Sequence, residues 1–587
     1  MNETAGLYQK KLRKRTIILA FFIFLWFVGL TLRLIQLQVI DHQRLREAVN
    51  EQNQLERDIY PERGTITDRH GKIMARSLPV PTVFFVPTGQ EPAADQFTRV
   101  ERLKRILELS SKELRRIRAQ IEKGNPFVYV KRQTRPDQAE QVKRLGLSGI
   151  YFQEENKRFY PLGRLAAHVL GGTDIDGKGL GGVELQHNRR LQGVKGKGLF
   201  LRDGNRTYYH WEILKQPVPG QDLILTLDET IQYIAEKELE KAVRDKKAEW
   251  GTVIVSSPAS GEILAMASYP TYDPNEYPPS PYTIARNRAI HENFEPGSTF
   301  KIITSSAAIE SGTVNFSHVF DCSDGRIRVA GWTIRDHKKM GVLTFPEVII
   351  HSSNVGTIMV SQRLGEKNLY NTIKSFHFGE KTGVDLPGEE NGIFHPLKGW
   401  SGSSLASHAI GYGISVTALQ TLQAMNVIAN RGILVPPRIS REMLDSSSAP
   451  PDIPPSGERI IATRTAEELI ERVFEKVVLE GTGQEAQLNG FTVAGKTGTA
   501  QIREPGGGYS AGRHLGSFVG FVPAEKPVIS MIVVIYDPKA GLHYGGQVAA
   551  PVFREIAQRV LLCLRQYPRF DPSPKILAAH SQVRSLD

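Results

Sequence analysis

Cysteine is almost absent: only Cys322 and Cys563 occur in 587 residues. Neither has a Cys-x-x-Cys partner or a metal-ligand spacing, which excludes a disulfide-framed scaffold and a thiolate metal centre. A Cys322–Cys563 bridge stays open beside the reading of both as small core residues. The glycine-rich stretch 163–193, "GRLAAHVLGGTDIDGKGLGGVELQHNRRLQG", contains no Gly-Lys-Ser/Thr and lies between no buried strand and helix. It is therefore not read as a phosphate loop. There is no basic patch interleaved with aromatics, no helix-turn-helix pattern and no zinc spacing. The net charge of +12 therefore does not point to nucleic acid. Cations spread along the chain suit a polyanionic envelope surface as well.

A second long apolar run is also missing. The one present is "TIILAFFIFLWFVGLTL", which follows "KKLRKR" (Lys10 to Arg15) and ends before Arg33. It is long enough to span a bilayer, and Arg33 can snorkel to the interface. No small-x-small cleavage site follows, so a retained anchor is expected over 16–38 rather than a signal peptide. The basic cluster places 1–15 in the cytoplasm and everything after residue 40 outside.

A chain of this length implies two or three domains. Residues 34–56 read as a polar helical stalk. "PERGTITDRHGKIMARS" gives short strands around a tip at His70-Gly71, and 98–145 has a helical, charged, surface-type period. A non-catalytic region is expected over 39–217. A second domain opens near 218 with a strand and a helix for which Asp228 is the N-cap candidate. "GTVIVSSPASGEILAMASYP" reads as an antiparallel hairpin. The late runs "FTVAGKTGTAQ", "GSFVGFVPAE" and "VISMIVVIYDP" read as strands, with helices at 300–312 and 414–431 between. Strands at both ends of the domain predict an α+β fold, one antiparallel sheet covered by helices, over 218–567. Residues 568–587 read as a disordered tail.

The chemistry begins at "EPGSTFK". Pro296 and Gly297 stop the preceding segment, and a helical period starts at Ser298. Lys301, three residues on, lies on the same face. If that face is buried, desolvation lowers the lysine toward neutrality, and a neutral amine can take the serine proton. Ser298-x-x-Lys301 is the sole Ser-x-x-Lys in the chain. Two further strings follow in order: Ser352-Ser353-Asn354 in "HSSNVG", and Lys496-Thr497-Gly498-Thr499 in "VAGKTGTAQ". Together they form the serine β-lactamase and penicillin-binding set. His291, His351 and His408 read as surface or packing residues, and Trp332 and Trp400 as packing residues.

On these strings the chain resembles the class B penicillin-binding proteins, the monofunctional peptidoglycan D,D-transpeptidases. The resemblance runs through the single N-terminal span, "RGTITDRHGKIMA", "GLGGVE", "EPGSTFK", "SSNVG", "GYGISVTALQ", "KTGTAQ" and "YDPKAGLHYGGQVAAPVF". Ser-Ser-Asn followed by Val-Gly is similar to the division-type members. The resemblance implies a serine β-lactamase/transpeptidase-like domain on an elongated pedestal (dimerisation-type) domain. It implies Ser298 as the acylated nucleophile, Lys301 as general base and Ser352 as proton relay. Asn354 would orient Lys301, and Lys496 would supply positive potential. Thr497 and Thr499 would hold the substrate carboxylate, with Gly498 leaving room for the substrate along the strand. The expected substrates are stem pentapeptides, with β-lactams as their mimics. The expected partners are the membrane, a SEDS-type glycan polymerase (FtsW) and other division proteins. No cofactor, metal or nucleic acid is expected. Ser257 stands in the hairpin where relatives usually have an acid, and no glycosyltransferase signature is present. Three other readings stay open: an elongation-type transpeptidase, a D,D-carboxypeptidase, and a membrane-anchored β-lactam sensor or scaffold.

Overall fold

An antiparallel sheet whose strands are apolar at every position must be covered on both faces. Trp250–Ser256 is buried at all seven residues, and Ile529–Tyr536 at seven of eight. The computed structural model describes residues 2–45, 54–87, 91–125, 127–202, 208–276, 282–444, 457–504 and 506–568. Its contacts divide the chain into two units. The first comprises Met1–Glu62, Pro79–Asn156 and Val194–Pro219; the second comprises Arg63–Leu78, Lys157–Gly193 and Gly220–Asp587.

In the first unit a helix runs from Asn2 to Ile35 and widens into a π-turn over Gln36–Ile40. Lys10–Ile40 is the single segment among the described residues long and apolar enough to cross a membrane. The helical stalk expected to residue 56 is not continuous, because Gln54–Ile59 is a strand paired antiparallel with Gly196–Arg202. Charged periodicity there hid a strand whose partner lies far along the chain. The expected helical region 98–145 is three helices, Ala93–Glu101, Ser111–Glu122 and Pro136–Arg144, with the strand Val128–Lys131 between the last two. Leu114, Ile117, Ile121 and Val142 pack with Val83, Phe85, Val128 and Val130 as one core.

In the second unit the predicted tip forms. Ile66 pairs with Ala75, Asp68 N–H donates to Lys72 O, and Gly71 takes φ +83°. The main sheet has strands β1 (Trp250–Ser256), β2 (Ile263–Tyr269), β3 (Ala494–Arg503), β4 (Tyr509–Val522) and β5 (Ile529–Tyr536). Their spatial order is β2-β1-β5-β4-β3, antiparallel throughout. The helices that matter for the site are α1 (Glu229–Asp245), α2 (Lys301–Glu310), α3 (Asn354–Leu364), α4 (Ala418–Ala429) and α5 (Ala550–Cys563).

Alternate side chains of the sheet enter two cores. Val253, Val255, Met531, Val533 and Phe518 pack with α1 and α5, while Ile254, Ile532, Val534 and Val519 pack with α2 and α4. Covering both faces explains why the sequence shows continuous apolar runs instead of alternation. Asp228 caps α1 as expected, accepting from Thr230 N at 2.9 Å and Ile231 N at 3.1 Å. Strand β3 has β4 on one side only, so its outer edge has no strand partner among the described residues.

Two expectations change, those for the cysteines and for Trp332. Cys322 is buried and Cys563 exposed, and both are free. Trp332 does not pack: it is 72% exposed beside the turn of a two-stranded hairpin. Trp400 does pack, stacked on His408 at 4.5 Å. The tail expected over 568–587 lies, apart from Pro568, outside the described residues.

Candidate active site

Pro296 and Gly297 lead into a tight 3₁₀ turn, Gly297–Phe300, and the α-helical period begins only at Lys301. The difference from a helix starting at Ser298 matters for the geometry. The turn carries Ser298 and passes directly into the helix that begins at Lys301, three residues on. Gly297 has φ +54°, a conformation that costs glycine nothing. A β-carbon there would also lie 2.7 Å from Thr499 O. Ser298, half-buried, is thus held near the unpaired edge of β3.

Lys301 is fully buried. Its Nζ donates to Ser352 O at 2.7 Å, Asn354 Oδ1 at 2.9 Å, Ser353 O at 3.2 Å and Ser352 Oγ at 3.3 Å. Burial pulls its pKa down to about 7, against an upward pull from Asp336. Lys496, also fully buried, donates to Ser352 Oγ at 3.0 Å and Thr497 O at 3.1 Å. Burial, and then repulsion from Lys301, push its pKa well below the usual lysine range. The two amines therefore disfavour being charged together, and Ser352 Oγ bridges them. Ser352 holds φ +59°, a left-handed conformation that is strained for serine and costs of order 1–3 kcal/mol. That backbone turn aims both its carbonyl and its hydroxyl at Lys301.

The three strings thus converge through Lys301, Ser352, Asn354 and Lys496. Thr497 and Thr499 follow Lys496 along β3. Thr497 Oγ1 lies 2.6 Å from Thr482 Oγ1, and Thr499 Oγ1 accepts from Gly545 N at 3.0 Å. Glycine at 498 also answers a close approach within the fold. A β-carbon on Gly498 would meet Ser517 Oγ at 2.4 Å, Thr299 Cγ2 at 2.8 Å and Pro296 O at 3.1 Å. Glycine there lets β3 close onto the turn that carries Ser298.

Two carboxylates near the site gave no sequence signal. Glu295 Oε1 accepts from Gly413 N at 2.9 Å and Tyr509 Oη at 3.2 Å, and burial raises its pKa. Asp336 accepts from Asn354 N at 2.5 Å, Ser353 Oγ at 2.7 Å and Val355 N at 3.1 Å. Asp336 follows the exposed strand Trp332–Arg335, a region without apolar period. The expected non-catalytic histidines show other contacts: His291 Nδ1 pairs with Gly388 O at 3.1 Å, and His408 Nδ1 with Ser404 O at 2.5 Å.

A serine three residues before a buried, near-neutral lysine, with a second lysine joined through a bridging hydroxyl, can form and resolve an acyl ester without histidine or metal. Comparison with known proteins agrees. Residues 251–558 match the family described as the penicillin-binding protein transpeptidase domain, and 58–225 the penicillin-binding protein dimerisation domain. Stage V sporulation protein D of Bacillus subtilis is 35% identical over 95% of this chain and 87% of its own length. The peptidoglycan D,D-transpeptidase FtsI of Escherichia coli is 32% identical over 91% of this chain and 89% of its own. Among solved structures, penicillin-binding protein 3 of Mycobacterium tuberculosis complexed with aztreonam superposes with a TM-score of 0.67 at 29% identity. That match covers 88% of this chain and 99% of the other. The chain belongs to the class B penicillin-binding proteins, serine D,D-transpeptidases of peptidoglycan and targets of β-lactams.

Proposed function

We propose that this chain cross-links the stem peptides of septal peptidoglycan through an ester on Ser298. The observation that carries the reading is Lys301: wholly buried, near neutral, and tied to Ser352 and Asn354. Ser298 Oγ attacks the carbonyl carbon of the penultimate D-alanine while Lys301 Nζ takes its proton. The backbone N–H groups of Ser298 and Thr499 stabilise the oxyanion, each worth about 3 kcal/mol in such sites. The C–N bond to the terminal D-alanine then breaks. Its amine takes a proton relayed by Ser352 between Lys301 and Lys496. An amine from a neighbouring stem peptide attacks the ester, with Lys301 again accepting a proton.

The substrate lies as an added strand along the open edge of β3. Thr497 and Thr499 hold its terminal carboxylate, and that anion restores the ammonium of Lys496 that burial disfavours in the free protein. A β-lactam enters the same path, but its leaving nitrogen stays tethered and the ester persists. Asn354 holds Lys301 and the substrate amide.

We place the basic N-terminal tail in the cytoplasm, the span over 16–38, the pedestal over 39–217 and the transpeptidase domain over 218–567 outside. A SEDS-type glycan polymerase (FtsW) and other division proteins are the proposed partners. The likeness to FtsI and the Ser-Ser-Asn-Val-Gly string support the division role. The likeness to a stage V sporulation protein, 35% identical over 95% of this chain, favours, as the second reading, a sporulation role.

Two experiments test this. Full-length protein in detergent, treated with benzylpenicillin and digested, carries the penicilloyl mass on the peptide containing Ser298. An adduct elsewhere, or none on folded protein, removes the acyl-enzyme reading. Depletion in the host gives filaments; normal division with defective spores transfers the role to sporulation.

A further inference from the structure

Helix α3 begins at the catalytic string, and its N-terminus has more capping than a helix needs. One acceptor suffices for a cap, and Ser353 Oγ already accepts from Gly356 N at 2.9 Å. A second acceptor, the carboxylate of Asp336, takes Asn354 N and Val355 N on one oxygen and Ser353 Oγ on the other. Asp336 itself is tied down, since its N–H donates to Gly325 O at 3.0 Å. The preceding residue completes the grip: Arg335 O accepts from Asn354 Nδ2 at 3.2 Å. With Nδ2 held there, Asn354 must turn Oδ1 the other way, onto Lys301 Nζ.

We propose that Asp336 is a positioning residue for the acyl-transfer reaction, fixing Asn354 against Lys301 and setting its negative charge beside that buried amine. Both carboxylate oxygens are used at the start of α3, and the same carboxylate carries its charge toward Lys301. The charged groups around Lys301 come from three elements. Lys496 comes from β3, Asp336 and His337 come from the segment after the hairpin, and His351, which precedes α3, faces His337. Asp336 is the anion whose charge reaches Lys301. Its charge raises the proton affinity of Lys301 against the downward pull of burial. Without it the lysine would shed its proton at lower pH and could not carry a proton through the relay near neutrality.

This inference rests on the proposed role of Lys301 as base, and the test separates the two. Full-length Asp336→Asn and Asp336→Glu are compared with wild type by the rate of fluorescent-penicillin acylation from pH 5 to 9, alongside thermal midpoints. Asp336→Asn is expected to move the acid limb down by about one pH unit and to lower the plateau about tenfold or more through loosened Asn354. Asp336→Glu keeps the limb at its wild-type position with a reduced plateau. An unmoved limb in Asp336→Asn overturns the proposal, whether or not the plateau falls, because a purely structural cap would alter only the plateau. If Asp336→Asn does not hold its fold, Asp336→Ser, a smaller neutral acceptor, decides: a limb moved down supports the proposal, and an unmoved limb defeats it. Labelling of wild type at Ser298 is unaffected by any of these outcomes.

Discussion

Lys301→Met lowers the rate constant for acylation by benzylpenicillin about ten-thousand-fold, the upper range for loss of a positioned general base. Methionine fills nearly the same volume and leaves Ser298 in its turn, so the loss reads on proton transfer and not on packing. The wild-type rate rises with pH through about 7, as the buried amine sheds its proton. The variant has no such limb. Stability moves in the linked direction. The folded pKa is depressed from 10.5 to about 7, so between those pH values the unfolded chain binds more protons. Stability therefore rises with pH across that window, and the cost of burying the amine is full below about 7. Lys301→Met flattens that slope, which a series of thermal midpoints from pH 6 to 10 would register. A fall in acylation of less than tenfold would remove Lys301 as the base.

How far the sequence alone reaches is clear from individual residues. Ser298, Lys301, Ser352, Asn354 and Lys496 are legible because each motif is a short contiguous string with a fixed side-chain chemistry. The sheet is legible because its strands are unbroken apolar runs bounded by turns, and Asp228 because a cap is a local event. What escapes is whatever depends on distant partners or on backbone shape. The 3₁₀ turn at Gly297–Phe300 has the same residues as a helix start and is set by the closeness of Thr499. The left-handed φ of Ser352 has no signature in a serine. Asp336 lies in an exposed hairpin region and gains its meaning only from the string at 353–355. Gly498 was visible as a requirement, yet one reason for it, contact with Ser517 and Thr299, needed the fold.

The second large effect lies away from the chemistry. Glu184→Ala destabilises the second unit by about 3–5 kcal/mol, the cost of removing one partner from a buried ionic cluster. Glu184 is fully buried and its two oxygens are divided between two guanidiniums, Arg63 Nε at 2.6 Å and Arg158 Nε at 2.6 Å. Tyr160 Oη adds a bond at 3.2 Å. The arginines then reach the backbone. Arg63 donates to Gly177 O and Glu184 O, and Arg158 to Gly64 O. The carboxylate thus joins the segments 63–64, 158–160 and 177–188, which are far apart in sequence. Arg63 sits in a stretch read from sequence as short strands around a turn and Glu184 in a glycine-rich one, with nothing local to mark the cluster. Without Glu184 two buried cations face each other with no anion between them. Glu184→Gln keeps the shape and one acceptor oxygen, so its loss is smaller but of the same sign. A shift of this size lowers the thermal midpoint of the detergent-solubilised chain by about 10 °C for a domain of a few hundred residues. The readout is the temperature at which fluorescent-penicillin labelling of Ser298 is lost. Labelling at 20 °C should stay normal in any fraction that folds, since no atom of the cluster contacts Lys301 or Lys496. A midpoint within about 2 °C of wild type would mean that the cluster is no more than a replaceable packing unit.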